Sequence, residues 1–171
     1  TVPLGEYDGT FGGGSFVTTS YFVTATDCAG NVSAPASVSA RMQTIQDDGS
    51  TSLFPNGTLT YTGTWTASSC TCWSALTTRK TTAKNASATY TTDFVAGQYV
   101  GLVMATGPDR GKFDVYVDGA RITTVNTYSA TKANRKVVWV RKMGAGTHTI
   151  TIVNLATAGR PRIDLDAVIL S

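Results

Sequence analysis

Residues 111–125 read GKFDVYVDGARITTV, and their reading decides the fold class. Phe113, Val115 and Val117 alternate with Asp114, Tyr116 and Asp118, the period of two that lines one face of a strand with apolar side chains. Asp118-Gly119 then supplies the two positive-φ positions of a type I′ turn, and a second strand follows at once with Ile122 and Val125. A second hairpin is expected in residues 136–153, KVVWVRKMGAGTHTITIV, where Gly144-Ala145-Gly146 joins two strands. Past the join, His148, Ile150 and Ile152 share one face, and Thr147, Thr149 and Thr151 the other. Half-polar alternation of this kind belongs to antiparallel sheets with one wet face.

The same rhythm runs along the chain. Strands are expected at 20–26, 36–42, 58–66, 86–94, 99–105, 112–117, 120–126, 135–141, 147–153 and 163–170, separated by Gly, Pro, Asn and Asp. No long stretch repeats apolar residues at i, i+3, i+4 and i+7, so helices are not expected. Many short, evenly spaced strands make an all-β protein, an antiparallel sandwich or barrel.

Composition narrows the function classes. Charged residues are 15% of the 171, well below the usual quarter or so, and the formal net charge is a mild +3. There is no basic stripe, so a nucleic-acid partner is not expected. Apolar runs stay far short of a membrane span, and membrane insertion is not expected either. Thr1 is not a natural start, so a removed leader and a secreted or cell-surface protein are expected. Enzymatic activity is not expected. Glu6 is the one glutamate, short of the carboxylate pair of a glycosidase, and His148 is flanked by strand threonines rather than by triad partners.

The chain divides at MQTIQDDGSTSLFPNG, residues 42–57, where acidic, Gly and Ser residues interrupt the strands. Residues 44–57 are expected to form a linker or crossing loop. Before it, YFVTATDCAGNVSAPASVSARM resembles the closing strands of bacterial extracellular immunoglobulin-like repeats, with Asp27, Ala29, Gly30, Asn31 and Pro35 matching their recurring phrase. Residues 1–43 are therefore expected to be partial immunoglobulin-like strands. The first half of such a repeat has no counterpart here. Either the chain is a fragment, or these strands pair with the following domain or with a neighbouring molecule, because an open strand edge is avoided.

Residues 58–171 carry a second resemblance. Gly107-Pro108, Arg110-Gly111, Val115 to Gly119, Gly146-Thr147-His148 and Arg160 to Asp166 resemble the β-jelly-roll module at the C-termini of secreted actinobacterial proteins, a galactose-binding-domain-like fold. They also resemble carbohydrate-binding modules of that architecture. The resemblance implies a jelly roll within a multidomain parent. Its expected partner is a glycan or cell-surface polysaccharide, bound without catalysis. Relatives often show Ser-Gly-Gly where this chain has Ser74-Ala75-Leu76. Related modules often hold a structural calcium with an acidic residue near the last strand, which implies Asp166 for that role. The alternative is an Asp that accepts backbone N–H bonds from a loop.

The stretch SSCTCWSALTTR, residues 68–79, holds Cys70, Cys72 and Trp73. Zinc would want four N/S ligands, and the chain offers three cysteines and one histidine. The spacing is not the C-x-x-C of a redox pair. Two readings remain: three free thiols, or the preferred Cys70–Cys72 disulfide, which stiffens the tip carrying Trp73 and leaves Cys28 over. Trp73 is then either a stacking platform for a sugar or a loop anchor tucked against the sandwich. Arg79 and Arg110 can donate forked hydrogen bonds to a ligand, Arg110 alternatively being a solvated turn charge. Tyr128 is a further loop aromatic, whereas Trp65 and Trp139 fall inside strand patterns and are expected to pack. The candidate glycan surface is thus Trp73, Arg79, Arg110 and Tyr128. The alternative function is a structural or adhesive subunit of a surface stalk or filament, self-associating through its N-terminal strands.

Overall fold

A computed structural model describes residues 17–24, 26, 29–34, 36–47 and 57–171. Glu6, Cys28, Asp27, Pro35 and positions 48–56 of the expected crossing loop lie outside the described residues. Twelve strands are placed: β1 (Val17–Val23), β2 (Ala36–Gln46), β3 (Thr58–Thr62), β4 (Thr66–Ser69), β5 (Thr77–Thr81), β6 (Ser87–Phe94), β7 (Tyr99–Thr106), β8 (Lys112–Val117), β9 (Ala120–Asn126), β10 (Ala133–Lys142), β11 (Gly146–Asn154) and β12 (Ile163–Leu170). They form two antiparallel sheets, an all-β sandwich as expected.

The 111–125 stretch folds as read. Phe113, Val115 and Val117 face the core, Val117 pairs with Ala120, and Asp118 and Gly119 turn the chain with φ of 51° and 79°. β8 and β9 belong to a five-stranded sheet ordered β3-β6-β11-β8-β9. Its inward residues, Tyr90, Phe113, Ile150 and Ile152, meet Met104, Ile163 and Leu165 from the other sheet. Each buried side chain of this size contributes roughly 1.5–3 kcal/mol by leaving water. The outer face is threonine-rich: Thr89 bonds Thr151 at 3.1 Å and Thr91 bonds Thr149 at 3.2 Å, hydroxyl to hydroxyl.

Residues 136–153 do not form a hairpin. β10 pairs with β7 in one sheet, whereas β11 pairs with β6 and β8 in the other, so Met143-Gly144-Ala145 carries the chain across the sandwich. Met143 is the pin of that crossing. Its side chain is in the core, and its backbone exchanges bonds with Gly97 and Gln98.

The other sheet runs β1-β2-β12-β5-β4, with β7 on the opposite side of β12 and β10 beyond it. β12 is its axis. Ile163, Asp164 and Leu165 pair with Thr81, Lys80 and Arg79 of β5, and Ala167 to Leu170 pair with Gln46 to Gln43 of β2. β2 runs unbroken through positions 43 and 44, so the N-terminal strands pair with the following strands of the same chain. The expected strand at 58–66 ends at Thr62, where Gly63 turns with φ 82°. β4 and β5 then flank the Cys70–Cys72 loop.

Candidate functional site

The loop between β4 and β5 is clamped. Cys70 and Cys72 form a disulfide with their Cα atoms 5.0 Å apart, and the Cys70 N–H donates to the Leu76 carbonyl at 2.9 Å. Arg135, from β10, donates through Nε to the Cys72 carbonyl (3.2 Å) and through Nη2 to the Thr71 carbonyl (2.7 Å). Ala75 and Leu76 adopt left-handed φ of 44° and 70°, a region that glycine enters most easily. The result directs Trp73 inward. It is only 4% exposed, so it is a loop anchor and not a stacking platform.

Behind that loop sits Asp166, fully buried. Its Oδ1 accepts the Ser74 N–H at 2.9 Å, the loop-capping role left open by the sequence, while Oδ2 has no hydrogen-bond partner. Burial pushes its pKa up to about 7. The charges of Asp47 and Asp164 add to that rise, and the Ser74 N–H and Arg135 oppose it. Asp47, also buried, accepts the Thr77 hydroxyl at Oδ1 (2.5 Å), and its carbonyl accepts the Tyr61 hydroxyl. Among the described residues no three His, Cys, Asp or Glu side chains cluster as metal ligands. What this region offers is oxygen: an unpartnered Asp166 Oδ2 and the Asp47 carboxylate, whose charge adds to the rise in the Asp166 pKa. Calcium takes roughly six to eight oxygens, so these two carboxylates would supply only part of its shell. Asp166 and Asp47 are the residues that would hold it.

Arg79 is committed close by. Its guanidinium lies 4.9 Å from the centre of the Tyr61 ring, which meets Trp65 edge-on at 5.1 Å. The group therefore stacks within the protein.

At the opposite end of β5 three loops assemble. Gly107 N–H donates to the Thr127 carbonyl (3.1 Å), Ser129 N–H to the Gly107 carbonyl (3.1 Å), Thr127 N–H to the Gly111 carbonyl (3.0 Å), and Gly111 N–H to the Arg162 carbonyl (2.8 Å). Gly111 is required there, because a Cβ would fall 2.1 Å from the Arg160 carbonyl. Under the loops lies an ion network. Arg110 is 2% exposed, donating through Nε to Asp164 Oδ2 at 2.8 Å and through Nη1 to Asp109. Arg162 binds Asp164 through Nε (3.0 Å to Oδ1) and reaches Asp109 at 3.7 Å. Arg110 is thus neither a ligand donor nor a solvated turn charge: it is the buried post that ties the 107–111 loop to β12.

Tyr128 is different. It is 49% exposed, and the Arg160 guanidinium sits 4.3 Å from its ring centre. Of the four sequence candidates it alone is presented to solvent as an aromatic surface. Arg160 was not among them. Its signal was available in Gly159-Arg160-Pro161-Arg162, a turn with two cations immediately before the last strand. His148 is bonded through Nδ1 to Asp118 Oδ2 at 2.7 Å and stays on its strand. Trp139 is in the core, and Trp65 packs against it.

The architecture is an antiparallel β-sandwich of two sheets, a fold that solved structures share. No family model matches the chain, and neither does any curated protein. Solved structures do. The CBM36-1 domain of a multidomain xylanase from the hindgut metagenome of Trinervitermes trinervoides is similar with TM-score 0.51 at 16% identity, over 76% of this chain and 96% of that one. The CBM35 from Cellvibrio japonicus Abf62 gives 0.54 at 13%, over 76% and 92%. An exo-β-1,3-galactanase from Phanerochaete chrysosporium gives 0.56 at 16%, covering 80% of this chain but 30% of that one. At these identities the likeness is one of fold.

Proposed function

We propose that this chain is a non-catalytic module that binds an extracellular glycan through the loop surface around Tyr128 and Arg160. The observation that carries it is the exposed Tyr128 ring, seated under a guanidinium on loops fixed by five backbone-level constraints: the four bonds among 107–111, 127–129 and 162, and the contact that demands glycine at 111. A rigid aromatic face packs against the C–H face of a pyranose, and a neighbouring arginine donates to its hydroxyls. Coverage of nearly the whole of two carbohydrate-binding modules supports the reading. We take the protein to be secreted, a module of a larger parent, with a structural calcium held by Asp166 and Asp47. Among the described residues no helix is long and apolar enough to cross a membrane. The rival reading, a self-associating structural subunit, hands the N-terminal strand edge to a neighbouring molecule. Here β2 pairs with β12 of its own chain, and β1, paired only with β2 among the described residues, is the edge strand that such a reading would use.

The test is affinity electrophoresis in gels cast with plant, fungal and bacterial polysaccharides. Retardation of the wild type by at least one polysaccharide, lost in Tyr128→Ala and weakened in Arg160→Ala, is the expected result. Equal mobility of all three proteins in every gel would overturn it.

A further inference from the structure

Beside the loop cluster, at the end of β5, is an open cavity of about 250 Å³. Its wall carries Lys80 and Arg162, with Thr64, Thr66 and Thr82 around them. The floor is held by Thr81, whose buried hydroxyl donates to the Thr64 carbonyl at 2.7 Å and accepts the Ala83 N–H at 3.1 Å. Register fixes the charged wall. Thr66 pairs with Lys80 across β4 and β5, and Lys80 pairs with Asp164 across β5 and β12, so the three share one face of the sheet.

Asp164 has no capacity left for Lys80. Its Oδ2 accepts Arg110 at 2.8 Å, and both its oxygens accept Arg162. Asp109 is likewise taken by Arg110 and Arg162. Three cations, Arg110, Arg162 and Lys80, therefore stand against two carboxylates, Asp109 and Asp164. The odd positive charge belongs to Lys80, which makes no ion pair among the described residues and is only half-exposed. A half-buried cation without a counter-ion, ringed by hydroxyls, is complementary to an anion that also carries hydroxyls. The cavity is smaller than the roughly 300–1,000 Å³ of a drug-sized pocket, a size for one sugar ring and not a chain of them.

We infer that this cavity takes the carboxylate of a uronic-acid residue, with Lys80 as its charged anchor and the threonine hydroxyls on the ring, so that the module selects acidic glycans. The inference rests on the glycan-binding reading, and Arg162 and Arg160 lie two residues apart on one segment, which brings the cavity wall to the edge of the Tyr128 surface.

Calorimetric titrations at low salt test it, using oligogalacturonate, the same oligomer with its carboxyls reduced to alcohols, and acetate as competitor. Wild type is expected to bind the acidic oligomer at least tenfold more tightly than the neutral one. Lys80→Gln is expected to remove that preference, the loss falling on the acidic oligomer. Tyr128→Ala should weaken both oligomers alike. No preference in wild type, a preference that survives Lys80→Gln, or competition by acetate equal to that by galacturonate would each overturn the inference. Failure of the surface around Tyr128 would read differently: the acidic preference would persist through Lys80 while Tyr128→Ala changed nothing.

Discussion

Two loop systems sit at opposite ends of β5, each with an aromatic residue that the sequence offered as a ligand platform. The 70–76 loop is the more heavily constrained, by a disulfide, by Arg135 and by two left-handed non-glycine residues, and it uses that constraint to bury Trp73. The cluster of 107–111, 127–129 and 155–162 buries Arg110 and displays its tyrosine. Rigidity alone therefore does not mark a binding loop. What distinguishes the two is where the charge goes: toward a buried carboxylate behind Trp73, and onto the face of a part-exposed ring at Tyr128.

The largest effects should come from breaking the supports of each system. Asp164→Ala leaves Arg110 and Arg162 without their shared acceptor and is expected to cost about 3–5 kcal/mol in chemical denaturation. Trp73→Ala opens a cavity at the other end and should cost about 3–5 kcal/mol, without removing any group from the Tyr128 surface. If Trp73→Ala is nearly neutral in stability, the contrast between a buried and a displayed ring fails.

A smaller effect separates the two ends by pH. Folding raises the Asp166 pKa from 3.8 to about 7, so the folded state holds a proton that the unfolded chain gives up. The stability this contributes is full below about pH 4 and is lost as the pH climbs through 7. The other carboxylates run the opposite way. Asp114 is lowered by its bond from Arg121, Asp118 by the Thr149 N–H and then His148, and Asp109, against a desolvation push upward, by Arg110. Their contribution is present above about pH 4 and fades below it. Thermal melts should thus show stability falling between pH 4 and 7 in the wild type and a flatter profile in Asp166→Asn. Added calcium should restore stability at pH 7 in the wild type alone. An unchanged slope in Asp166→Asn would remove Asp166 as its source.

The smallest effect is local. Leu76 is 57% exposed with φ 70°, so Leu76→Gly gives up little burial and relieves a left-handed backbone. It should stabilise the protein by about 0.5–1 kcal/mol, less than the full conformational relief because glycine also loosens the unfolded chain. Destabilisation of that size would mean the loop does not need its left-handed pair.

What the sequence disclosed follows distance along the chain. The 111–125 hairpin is written in neighbouring residues and stands as read, and Cys70 and Cys72, two residues apart, lie within disulfide distance. Gly144-Ala145-Gly146 looks the same whether a strand returns beside its neighbour or crosses to the facing sheet; the choice lies with partners β7 and β6, dozens of residues away. β4 and β5 read TASS and TTRKT, with no apolar alternation to announce them. Arg110 sits in a turn sequence that suggests solvent, yet its acceptor Asp164 is 54 residues on. Trp73 is turned inward by a loop whose cap, Asp166, is 92 residues from Ser74. Lys80 gains its meaning only when β12 brings a saturated Asp164 beside it.

The most direct measurement is a calorimetric titration of one polysaccharide panel into wild type, Tyr128→Ala and Trp73→Phe. The account predicts saturable binding in the wild type, a loss of at least tenfold in Tyr128→Ala and wild-type affinity in Trp73→Phe. Binding that survives Tyr128→Ala and vanishes in a folded Trp73→Phe would place the ligand at the wrong end of β5 and contradict it.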